Sequence, residues 1–209
     1  MKKLLIAVLA AIIPMMASAE LFGFSAITSN DPLNPSIGEN QLFMDVTETG
    51  LGEVSIVFTN TGPEPSTIAE IYFDAPDVEP PLNLALVQII NTPGVSYVYD
   101  ANPQNLPAGR MFLFCADLGT EPENPAPKNG IDPYEYLVLE MTYTDPPHNF
   151  IDLLQSEKLR IGLHVISMGT SEDSESFINV IPEPSTALLL GFSGLLIKVR
   201  RDYRKKFFL

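Results

Sequence analysis

No tryptophan, one cysteine and two histidines occur among the 209 residues of this chain. A single cysteine excludes an intramolecular disulfide framework and a cysteine-rich zinc module. The two histidines, His148 and His164, form no His-Glu-x-x-His or other paired zinc spacing. No Gly-x-Ser-x-Gly is present, so the strained turn that presents a nucleophilic serine in many hydrolases is missing. Tryptophan platforms for sugar rings are missing too. Bases are equally scarce in the middle of the chain, where residues 20–181 hold 24 acids against Arg110, Lys128, Lys158 and Arg160. That segment carries −20 and repels a phosphate backbone, which excludes nucleic acid as a partner.

What is present divides into three unlike parts. Residues 1–19 open with Lys2 and Lys3, continue almost wholly apolar from Leu4 to Met16, and end Ala17-Ser18-Ala19. A positive start, a short apolar run and a small-x-small end are the parts of a secretory signal peptide. The peptidase pocket admits only small side chains at its −3 and −1 positions, so signal peptidase is expected to use Ala17 and Ala19 and to cut after Ala19. At the other end, Thr186 to Ile197 is uncharged and mostly apolar, and Lys198, Arg200, Arg201, Arg204, Lys205 and Lys206 follow. A helix over about 185–199 would be roughly 22 Å long, short for a hydrocarbon core of about 30 Å, so snorkelling of Lys198 or local thinning must help. The basic cluster keeps the end cytoplasmic while the acidic middle lies outside.

Pro182-Glu183-Pro184 stands immediately before that apolar stretch. With the Gly-containing hydrophobic segment and the basic end over 198–209, residues 182–209 resemble the PEP-CTERM sorting signal of Gram-negative bacteria. The tripeptide alone carries no weight; the ordered triple at the extreme C-terminus, paired with a signal peptide, is specific. Tyr203 and Phe207-Phe208-Leu209 extend the end beyond the usual short Arg run. The resemblance implies recognition by exosortase, an inner-membrane enzyme thought to cleave near the motif, in a bacterium that also secretes exopolysaccharide. It implies export across the inner membrane, a transient membrane anchor, and a destination at the cell surface or in the extracellular matrix. It implies no molecular activity.

The acidic body, 20–181, is long enough to bury one core, and at 45% apolar residues the chain is too hydrophobic for disorder throughout. Residues 53–59 alternate, with Val54, Ile56 and Phe58 on one face, and Asn60-Thr61-Gly62-Pro63 ends the run. Residues 68–74 alternate again, predicting Ala69, Ile71 and Phe73 inward and Glu70, Tyr72 and Asp74 outward. Further strands are expected over 41–47, 84–90, 95–99, 110–116, 136–143, 159–166 and 177–180, with one short helix over 151–157. No long helical period occurs, and most of the 19 prolines fall between the strands. This pattern predicts an all-β fold, a single β-sandwich or jelly-roll-like domain, flanked by the signal peptide and a single C-terminal transmembrane helix. The body is also similar to bodies common among PEP-CTERM proteins.

The candidate chemistry in this body is thin. His148 sits in an exposed turn, and His164 is expected to point outward beside Arg160. Cys115, in the two-faced apolar run 110–116, is expected to be a small buried hydrophobe. Paired carboxylates for a glycosidase need an apolar pocket that the sequence does not mark. Glu172, Asp173 and Glu175 are weak candidates for calcium, which favours hard oxygen ligands, although acid runs are usually solvated loops. No other cofactor is expected. Tyr72, Tyr97, Tyr99, Tyr134, Tyr136 and Tyr143 could line a glycan-binding face. The reading is therefore a non-catalytic structural or adhesive protein associated with exopolysaccharide or biofilm; a carbohydrate-binding module is the alternative and a secreted hydrolase the third reading.

Overall fold

The computed structural model describes residues 19–180, apart from 77, 79–81, 100, 103 and 145–148. The strands are β1 Ala19–Ala26, β2 Leu42–Gly50, β3 Glu53–Asn60, β4 Thr67–Asp74, β5 Ala85–Ile90, β6 Tyr97–Tyr99, β7 Leu118–Pro122, β8 Tyr136–Thr142, β9 Arg160–Met168 and β10 Asp173–Val180. Three short helices join them: α1 Asn34–Gln41, α2 Ala126–Asn129 and α3 Phe150–Gln155. All ten strands belong to one antiparallel sheet in the order β5-β8-β3-β2-β1-β10-β9-β4-β7-β6. The fold is all-β.

The sheet bends until its two edges meet. Asn91, after β5, accepts from Tyr97 N at 2.8 Å, and the Tyr99 hydroxyl reaches Val87 O at 3.4 Å. A nearly closed sheet leaves little unpaired edge for stray association. Alternation then puts one face of every long strand inside: Val54, Ile56 and Phe58 from β3, Leu137 and Leu139 from β8, and Ile161, Leu163 and Val165 from β9 share one fully buried core. Each such side chain contributes about 1.5–3 kcal/mol relative to exposure. One open end is closed by α3, which buries Phe150, Ile151, Leu153 and Leu154. The Asn149 side chain caps this helix by accepting from Asp152 N, and the Glu48 carboxylate accepts from Phe150 N at 2.6 Å.

Three sequence expectations need correction. Residues 110–116 form no strand; a 3₁₀ turn, Gly109–Phe112, is followed by coil. The run is apolar on both faces because Phe114 dips to the sheet while Met111 and Leu113 point to water. Cys115 is consequently exposed and not a buried hydrophobe. Lastly, Glu70, Tyr72 and Asp74 do lie on the outer face of β4, but that face is covered, and every residue of the strand is buried. Strands β1 and β7 and helices α1 and α2 were absent from the expected elements. The signal peptide (apart from Ala19), Pro182-Glu183-Pro184, the expected membrane helix and the basic end lie outside the described residues. Among the described residues no helix is long and apolar enough to cross a membrane.

Candidate functional site

The covered outer face of β4 and β9 gathers several polar side chains. Antiparallel register sets Glu70 opposite His164, Tyr72 opposite Gly162 and Asp74 opposite Arg160, all on the same face. The long connection between β6 and β7 lies across them, and Leu106, Phe114 and Ala101 pack with Tyr72 into a second small core. Gly162 permits this approach, since a Cβ there would come within 2.8 Å of Leu106 and 3.0 Å of Phe114.

Arg160 fastens this covering segment. Its guanidinium is salt-bridged to Asp74, donates to Phe112 O at 3.0 Å and to Leu113 O at 2.5 Å, and lies over the Phe114 ring at 5.5 Å. Burial pushes the Asp74 carboxyl above its ordinary range, and the Arg160 charge offsets only part of that. Asp74 Oδ1 and Arg160 Nε lack partners, so the pair is incompletely satisfied. The Tyr72 and Tyr97 hydroxyls are likewise pushed up by burial, aided by the Glu70 charge. Tyr143 is pushed up to about 12 by burial and by Glu48.

His164 occupies the outward position expected for it but is largely covered, and its Nδ1 is bonded to the Glu70 carboxylate. A carboxylate only accepts, so Nδ1 donates in this bond. Ser176 stands opposite His164 on β10, which completes an acid–imidazole–hydroxyl row across three adjacent strands. Neither proximity nor chain order suggested this row, because its members lie far apart in sequence. Ser176 is 1% exposed and sits on a regular strand, and its backbone N–H is held by Thr28 Oγ1 at 2.8 Å. A cleft of about 480 Å³ opens nearby between Ala101, Gln104, Ala116 and Asp117, but the Asp117 carboxylate already accepts from Ala75 N at 2.9 Å.

The calcium candidates separate. Glu172, in the β9–β10 turn, and Asp173, at the start of β10, are exposed, whereas Glu175 is buried and turned the other way. Its carboxylate accepts from Thr28 Oγ1 and Asn30 N, both at 2.5 Å, and from Asp31 N at 3.1 Å. That geometry ties down the loop after β1. Among the described residues no three acidic, histidine or cysteine side chains converge as a metal set.

The tyrosines separate as well. Tyr72, Tyr97 and Tyr143 are buried, while Tyr99, Tyr134 and Tyr136 are exposed. The Tyr134 ring lies against Gly62, and one flank of that turn forms a groove of about 360 Å³ with Leu33, Ser36, Asn40 and Glu64. His148 lies outside the described residues. No family model matches the chain, and no curated protein or solved structure matches it either.

Proposed function

We propose that this chain is an exported bacterial surface or extracellular-matrix protein, sorted by exosortase, with a non-catalytic structural or adhesive body. The observation that carries this reading is the fit between two sequence signals and the folded body. The strands run from Ala19 to Val180, and the expected signal cleavage after Ala19 and the Pro182-Glu183-Pro184 motif enclose all of their residues but the exposed Ala19. Every buried core residue among the described ones, from Phe22 to Phe177, lies between the two places. At −20 the body stays soluble beside an anionic envelope. Divalent ions could bridge such a body to acidic exopolysaccharide. Deletion of the gene is expected to alter matrix or floc formation; an unaltered matrix contradicts the proposal.

Glycan binding is a second reading, favoured by Tyr134. Tyr134 is 73% exposed, with its ring against Gly62 and the groove lined by Leu33, Ser36, Asn40 and Glu64 beside it. A flat ring with an open face is what a sugar stacks on. Glycan-array binding that disappears in Tyr134→Ala supports this reading, and silence of the parent protein across the array eliminates it.

A further inference from the structure

The segment over β4 and β9 covers that face and also carries an apolar tip into water. Met111 is 82% and Leu113 80% exposed, with Phe112 exposed between them. The backbone is bent to hold them there, with Ala108 and Leu113 at φ 58° and 57°. Left-handed conformation is unfavourable for a non-glycine residue. Arg160 also commits two of its donors to the carbonyls of Phe112 and Leu113. A disordered apolar loop would need none of this. The tip is built.

Its position in the fold identifies what it meets. Ile178 lies opposite Gly162, and Asn179 Oδ1 accepts from Ile161 N at 2.6 Å, so the end of β10 lies beside Arg160. The tip and Val180 therefore share one end of the sheet. Val180 is the last described residue before the motif, the apolar stretch 186–197 and the basic residues that follow. Leu21 near the start of β1 and Leu51 in the β2–β3 turn are exposed at this same end. Charge agrees with this placement: residues 104–116 contain Arg110 and no acid, in a body that carries −20.

We infer that Met111, Phe112 and Leu113 insert into the surface of a lipid bilayer, with Arg110 at the headgroups, while the C-terminal segment holds the protein at the membrane. Apolar side chains flanked by a base enter about 5–10 Å into the headgroup and acyl boundary. The insertion would fix the orientation of the body during sorting and so deepens the proposed function, on which it rests.

The absence of tryptophan supplies the test. Met111→Trp, and Leu33→Trp at the opposite end of the sheet, each introduce a sole tryptophan at an exposed position, read by excitation beyond the tyrosine band. The full chain, with residues 182–209 retained, is reconstituted into phosphatidylethanolamine–phosphatidylglycerol vesicles with and without brominated acyl chains. Met111→Trp emission is expected to shift to the blue and to fall roughly twofold with brominated lipid, while Leu33→Trp stays unchanged. A chain that floats with the vesicles but shows equal quenching at both positions overturns the insertion and leaves the sorting proposal standing. A blue shift of the same size without vesicles assigns the tip to a second protein copy and also overturns it. A chain that does not float contradicts both.

Discussion

Replacing Arg160 by methionine isolates the fastening of the covering segment. The change keeps much of the side-chain volume but leaves the Asp74 carboxylate, 1% exposed, without its counter-charge. It also strips the carbonyls of Phe112 and Leu113 of their donor. Removing one partner of a buried pair costs about 3–5 kcal/mol, because the other charge stays in a poorly solvating site. Against a total stability of about 5–15 kcal/mol, such a loss is easily measured by urea unfolding. It should also depend on pH in a defined direction. Asp74 already has its folded pKa raised above the usual 3.8, and losing Arg160 raises it further. A carboxyl with a raised folded pKa binds its proton more tightly when folded, so stability is lost as pH rises from the unfolded pKa through the folded one. The defect of Arg160→Met should be largest at neutral pH and shrink on acidification. Asp74→Asn in the same chain should restore much of the stability at pH 7, since the unpaired charge is gone. A loss under about 1 kcal/mol, or a loss of equal size at all pH values, refutes this reasoning.

Other changes test separate parts of the structure. Gly162→Ala drives a methyl into Leu106 and Phe114 and should cost about 1–3 kcal/mol while speeding tryptic cleavage after Arg110; wild-type cleavage rates argue that the segment is not packed down there. Glu175→Gln weakens the carboxylate that gathers Thr28, Asn30 and Asp31 and should lower Tm equally in calcium and in chelator. A Tm that calcium raises in the parent but not in this variant would show that Glu175 binds metal. Phe58→Ala empties a fully buried ring site in the main core and should cost about 3–5 kcal/mol in urea unfolding; a cost near 1 kcal/mol contradicts the packing.

The strands with strict alternation were legible in the sequence because a half-buried strand writes its two environments at every second residue. Residues 53–59 and 136–143 are examples, and β3 and β8 lie where the pattern placed them. Strand β7, Leu-Gly-Thr-Glu-Pro, has too few apolar residues to signal itself and forms because β4 and β6 pair with it. Helix α1 contains a single isoleucine, so no helical period marks it. Strand β4 misled for the opposite reason. Glu70, Tyr72 and Asp74 read as solvent-facing, and only the distant segment carrying Leu106 and Phe114 buries them. The same folding-over inverted the reading of Cys115, whose apolar neighbours serve two surfaces. The pairing of Glu70 with His164 and of Asp74 with Arg160 was not legible at all, because register between β4 and β9 is set by tertiary contacts more than 80 residues apart.

The sorting account rests on two processing events, and intact-mass spectrometry of the mature surface protein reads both at once. The account predicts a chain that begins at Glu20 and has lost the apolar segment and basic end beyond Pro182-Glu183-Pro184, with any added mass reporting what replaced them. A mature form that retains Phe207-Phe208-Leu209 would contradict it.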